Sequence, residues 1–145
     1  MRAALLPAAL LLSACSQSQE TSAEQPAVRA EAPERALTIF AGAGRNRLCL
    51  DEGAGRAAFI TYGEGDANCT VQGAVQQTAG TSVLVPDGDT TCRIDLTLSG
   101  DMVRLGQASA ACAYYCGPRS SFAGAEFRRS VTQQPVADHA GDPLC

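Results

Sequence analysis

The sequence predicts an all-β fold, a small antiparallel barrel or sandwich of about eight strands stapled by disulfides. Three observations carry that prediction. The large apolar residues come in short alternating runs, with no sustained period of 3.6. Clusters of Gly, Pro, Asn and Asp divide those runs where turns are needed. Cysteine usage is high, with seven in 145 residues.

The first element, residues 1–14, reads as an export signal. Arg2 supplies a positive start, residues 3–12 an apolar run, and Ser13 and Ala14 the small residues before a cleavage point. The run is too short to span a bilayer. Leu12-Ser13-Ala14-Cys15 resembles the lipobox of bacterial lipoproteins. That resemblance implies cleavage before Cys15, lipidation of its thiol and acylation of the new amino terminus. At about 0.8 kcal/mol per buried methylene, two or three acyl chains imply lasting attachment to a membrane. Ser16 stands where an Asp would resemble an inner-membrane retention signal, so the resemblance implies the periplasmic face of an outer membrane. An ordinary secretory signal and a buried apolar helix are the competing readings, and the position of Cys15 after two small residues argues against both.

Residues 15–36 follow as the lipidated Cys15 and a tether. The stretch is polar, Val28 is its single large apolar residue, and Pro26 and Pro33 interrupt any helix. A chain of this kind spans about 25 Å on average and about 70 Å when drawn out.

Residues 37–145 form the domain, 109 residues with one expected core. Strands are predicted over 36–41, 47–51, 57–62, 69–75, 81–85, 92–98, 102–105 and 111–115. The stretch 92–98 alternates most cleanly, with Cys92, Ile94, Leu96 and Leu98 on one face and Arg93, Asp95 and Thr97 on the other. A turn at Ser99-Gly100 pairs Ile94 with Leu105, Leu96 with Val103 and Asp95 with Arg104. A turn at Gly100-Asp101 slides that pairing by two and keeps the same faces. Residues 120–128 are expected to form a helical turn with Phe122 and Phe127 inward, although Gly124 weakens it.

With Cys15 assigned to lipid, Cys49, Cys69, Cys92, Cys112, Cys116 and Cys145 remain, an even set that reads as three disulfides in an exported domain. Fifteen connectivities are open. Pairing sequence neighbours gives Cys49 with Cys69, Cys92 with Cys112, and Cys116 with Cys145, the last tying down the weakly structured stretch 136–144.

No cofactor or metal is expected. Cys112-x-x-x-Cys116 has zinc-like spacing but lacks a second pair, and it is not the Cys-x-x-Cys of redox enzymes. The acidic stretches 64–68 and 87–89 lack the twelve-residue calcium loop and suit turns instead. Catalysis finds no support either. His139 is the sole histidine and lies in a Gly- and Pro-flanked stretch, no Gly-x-Ser-x-Gly occurs, and the carboxylates fall in turns, wet strand faces and the tail. Without residues 1–14, ten Arg face fifteen Asp plus Glu, a net charge of −5 with no basic stripe, which argues against nucleic acid.

The best binding candidate is Tyr114-Tyr115-Cys116-Gly117-Pro118. On a strand the two tyrosines point to opposite faces, so one joins the core and the other forms an exposed anchor beside a disulfide. Arg119, Arg128 and Arg129 offer a nearby anionic contact. The plainer reading is an aromatic lid over the barrel end.

A small β-domain on a lipidated tether resembles the envelope lipoproteins that include lysozyme inhibitors of the barrel type. Those inhibitors share a Ser-Gly-x-x-Tyr loop, whereas Ser99-Gly100-Asp101-Met102 is followed here by Val103, so no inhibitory residue carries over. The expected function is a non-enzymatic outer-membrane lipoprotein that binds or supports an envelope protein or cell-wall partner. The alternatives are an inhibitor of a lysozyme-like cell-wall hydrolase and a hydrolase with an unrecognised site.

Overall fold

A computed structural model describes residues 37–78 and 80–145. The expected signal segment 1–14, Cys15 and the expected tether to residue 36 lie outside the described residues.

Eight antiparallel strands form a closed barrel in sequence order: β1 (Leu37–Gly42), β2 (Arg47–Asp51), β3 (Arg56–Tyr62), β4 (Asn68–Thr78), β5 (Thr81–Pro86), β6 (Ile94–Ser99), β7 (Met102–Ala108) and β8 (Glu126–Arg129). β8 closes the sheet on β1 through Phe40 opposite Arg129 and Gly42 opposite Phe127. Closure removes the unpaired edges that an open sheet of this size would expose. Period-two alternation then separates inside from outside. Leu48, Phe59, Val71, Leu84, Ile94, Leu105 and Phe127 fill the interior.

The interior is narrow, and Gly73 reflects that. It lies opposite Pro86 on β5, and a Cβ added there would overlap the carbonyl oxygen of Val85. A side chain at this position would force β4 and β5 apart.

The outer face of β1–β3 is also apolar. Ile39, Cys49, Ala58 and Ile60 form a second buried cluster, covered by Val136 and Leu144. The covering segment turns back on itself, with Leu144 N–H donating to Val136 O at 2.9 Å and Asp138 Oδ1 accepting from Ala140 and Asp142 N–H. A Cys49–Cys145 disulfide, Cα–Cα 6.5 Å, ties it to β2.

Three disulfides are present, and of the expected pairs only Cys92–Cys112 forms. Cys49–Cys69 and Cys116–Cys145 are replaced by Cys49–Cys145 and Cys69–Cys116. Cys49 faces outward between the inward Leu48 and Leu50, whereas Cys69 belongs to the inner core, and β3 separates their strands. Two sulfurs on opposite faces of non-adjacent strands are out of bonding reach.

Two further expectations are corrected. The strand predicted over 111–115 is a 3-10 helix, Ala110–Tyr115, closed by Cys112 N–H to Ser109 O and Cys116 N–H to Ala113 O. The helical turn expected over 120–128 contains instead the eighth strand, because Phe127 is needed inside to complete the wall between β7 and β1. Phe122 and Phe127 do both point inward. The β6–β7 hairpin turns at Gly100-Asp101, so Ser99 faces Met102 and Arg104 lies opposite Thr97 rather than Asp95. A bulge beyond Leu96 then sets Ile94 opposite Ala108.

Candidate functional site

The connections β1–β2, β3–β4, β5–β6 and β7–β8 share one end of the barrel, and the chain enters β1 at the other. The long β7–β8 connection caps that shared end. It is fixed by Cys112 to Cys92 before β6, Cα–Cα 4.7 Å, and by Cys116 to Cys69 on β4, Cα–Cα 4.0 Å. Gly117 N–H donates to Asn68 O at 2.8 Å, and Ser120 Oγ donates to Gly117 O at 2.7 Å. Gly63 makes room for this connection, since a Cβ there would lie 2.6 Å from Arg119 O.

Tyr114 and Tyr115 sit between the two disulfides on the 3-10 helix. Tyr114 is 86% exposed, while Tyr115 is half-buried and packs against the core. Tyr114 is thus exposed and Tyr115 only partly covered rather than a core residue, and a 3-10 helix rather than strand alternation sets them apart. Their rings meet edge to face, with centroids 5.4 Å apart. Tyr115 Oη donates to Asp89 Oδ2 at 3.1 Å. The other Asp89 oxygen accepts from Thr91 N–H at 2.8 Å, from Thr91 Oγ1 at 2.5 Å and from Cys92 N–H at 3.3 Å.

These donors set the electrostatics. The Thr91 hydroxyl, followed by the Thr91 amide, holds the Asp89 carboxyl below its ordinary range. Burial, reinforced by the Asp89 bond and charge, pushes the Tyr115 phenol up. Asp89 also explains why β6 begins at Ile94 rather than Cys92. Its side chain takes the Thr91 and Cys92 amides, so the backbone turns there instead of extending.

Beside the cap, the β6–β7 bulge and the returning segment 120–124 enclose an open cleft of about 690 Å³. Asp95, Thr97, Arg104, Gln107, Ser121 and Phe122 are among its lining residues. Asp95 and Arg104 are the ionisable side chains in that lining; the rest of its polar groups are hydroxyls and an amide. Such a surface offers hydrogen bonds and weak charge. Sequence reading missed the cleft because it depends on the bulge, and Gly106 next to Gln107 was the available signal.

The other candidates disperse. Arg119 pairs with Glu64 at 3.7 Å on the capped end, whereas Arg129 pairs with Asp101 at 2.7 Å at the opposite end, and Arg128 lies on β8. No anionic site gathers from the three. Among the described residues no group of three His, Cys, Asp or Glu converges. Asp66 and Asp87 are engaged by Arg45 and Arg56 respectively, and the six domain cysteines are all bridged.

The chain matches no known family model, and no curated protein or solved structure matches it.

Proposed function

We propose that this protein is a lipid-anchored envelope lipoprotein whose barrel is a non-enzymatic binding module, with the Tyr114 side of the cap as its contact face. Exposure of Tyr114 carries this reading. Every Phe in the domain is buried and Tyr62 and Tyr115 are half-covered, yet Tyr114 stands 86% exposed on a backbone clamped by two disulfides. A rigid, amphipathic side chain of this kind loses little entropy on contact and is enriched at interface centres. The lipobox-like segment ending at Cys15 supports anchorage at the periplasmic face of an outer membrane. β1 begins at the end of the barrel opposite the cap.

The test is cross-linked capture from native envelopes with the full lipoprotein, its Tyr114→Ala variant and its Cys15→Ala variant. One stoichiometric partner lost on Tyr114→Ala supports the reading, and fractionation should release Cys15→Ala from the membrane. Capture that Tyr114→Ala leaves unchanged overturns the contact face. Loss of lysozyme activity in the presence of the domain identifies the partner as a cell-wall hydrolase, and turnover of murein fragments by the domain itself overturns the non-enzymatic assignment.

A further inference from the structure

Cations and aromatic rings already meet within this fold. Arg45 lies over the Tyr62 ring at 4.0 Å and Arg129 lies 5.6 Å from the Phe40 centroid. Among the described residues no such cation lies over Tyr114, the most exposed aromatic ring. Of the eleven carboxylates in residues 37–145, Asp66, Asp87, Glu64, Asp101 and Glu126 each face an Arg, whereas Asp89, like Asp51, Glu52, Asp95, Asp138 and Asp142, has no cation within 4.0 Å among the described residues. Asp89 is connected to Tyr114 through Tyr115, by the 3.1 Å hydrogen bond and the 5.4 Å ring contact.

We infer that the cap takes a basic segment of a partner protein, with Arg or Lys side chains settling over the Tyr114 ring and beside the Asp89 carboxylate. This deepens the binding-module reading and rests on it. A cation over a tyrosine face is attracted by the ring quadrupole, and a neighbouring carboxylate adds a charge that the domain itself leaves unmatched. The wider field agrees in sign, since residues 37–145 carry eight Arg against eleven Asp plus Glu. Asp89 is also prepared for this role. Its oxygens are oriented by Thr91, Cys92 and Tyr115, so little side-chain freedom remains to be lost on binding.

The test is a fluorescence-anisotropy titration of full-length lipoprotein with labelled acetyl-hexaarginine amide, and with acetyl-hexacitrulline amide as its neutral isostere. The arginine peptide should bind and the citrulline peptide should not. Tyr114→Phe should retain binding, while Tyr114→Leu should weaken it by about two- to fivefold. Asp89→Asn, which keeps an acceptor oxygen for Thr91, should weaken it similarly. Asp101→Asn, an equal charge change at the far end of the barrel, should have little effect. Raising salt from about 0.1 M to about 1 M, which shortens the screening length from about 10 Å to about 3 Å, should also weaken it.

Equal binding of both peptides, or equal losses from Asp89→Asn and Asp101→Asn, overturns the site. Displacement by stoichiometric spermine overturns a protein partner in favour of a small polyamine. If the arginine peptide fails to bind while Tyr114→Ala still abolishes envelope capture, the basic-partner inference falls and the binding-module reading stands. If capture ignores Tyr114, the reading itself falls.

Discussion

Cys145, the last residue of the sequence, is bonded to Cys49 on the outer face of β2. The bond closes a loop of 96 residues and holds Val136 and Leu144 against Ile39, Ala58 and Ile60. A segment that looks like loose chain is thereby part of a second core.

Replacing both partners, Cys49→Ser with Cys145→Ser, should lower stability by about 2–5 kcal/mol without preventing barrel formation. Urea unfolding would read the loss, and binding of an apolar dye should rise as the outer face of β1–β3 is uncovered. A variant that unfolds with the wild type, and binds no more dye, would show that the covering segment contributes nothing.

The non-covalent part of the same seal is tested by Val136→Ala. Val136 is only 1% exposed, and removing its two methyls leaves space against Ile39 and Ile60. The expected cost is about 1–3 kcal/mol in the disulfide-intact protein, measured by the same unfolding transition. No shift would mean that the bridge alone holds the segment.

Gly73→Ala should cost about 1–3 kcal/mol, because its methyl meets the β5 backbone rather than a yielding side chain. Amide exchange should speed up along β4 and β5 before it does in β1 and β2. Unchanged exchange along β4–β5 would contradict the close approach of those strands.

Asp89 and Tyr115 make stability fall at opposite ends of the pH scale, Asp89 chiefly through the Thr91 hydroxyl and amide it accepts from, and Tyr115 chiefly through burial, reinforced by its bond to Asp89. Asp89 titrates below its ordinary value of 3.8 in the folded state, so its contribution is present above that value and fades as pH drops through the folded one. Tyr115 titrates above its ordinary 10.0, so its contribution is present below that value and is lost as pH climbs through the folded one. Unfolding midpoints measured across pH should therefore fall less steeply in acid for Asp89→Asn, and less steeply in alkali for Tyr115→Phe. Profiles parallel to the wild type would break the proposed coupling.

Much of the barrel was legible because its signals are local. Six strands, β1 to β5 and β7, lie close to the expected stretches, and β6 is shortened only where Asp89 captures the Thr91 and Cys92 amides. The eighth strand was not legible. Glu126–Arg129 has one buried residue, Phe127, and too few positions to display a period. The apolar run 111–115 resembles a strand until Cys112 is pulled to Cys92 before β6 and Cys116 to Cys69 on β4, which favours the shorter turns of a 3-10 helix. Of the site, the Tyr114–Tyr115 pair was readable from composition. Asp89 and the cleft were not, since they reach it from the β5–β6 connection and from a bulge.

The sheet is covered on both faces where Leu48-Cys49-Leu50 in β2 and Ala57-Ala58-Phe59-Ile60 in β3 run continuously apolar, in place of the alternation expected there. Nothing along the chain said what covers it. Alternation and turn chemistry, which act between near neighbours, determined that this protein is an antiparallel β-domain with an even set of six cysteines. Closure of the barrel decided which cysteines meet, where Val136 and Leu144 lie, and which tyrosine stays in water. Those outcomes depend on the face and neighbour that each residue acquires only when β8 joins β1.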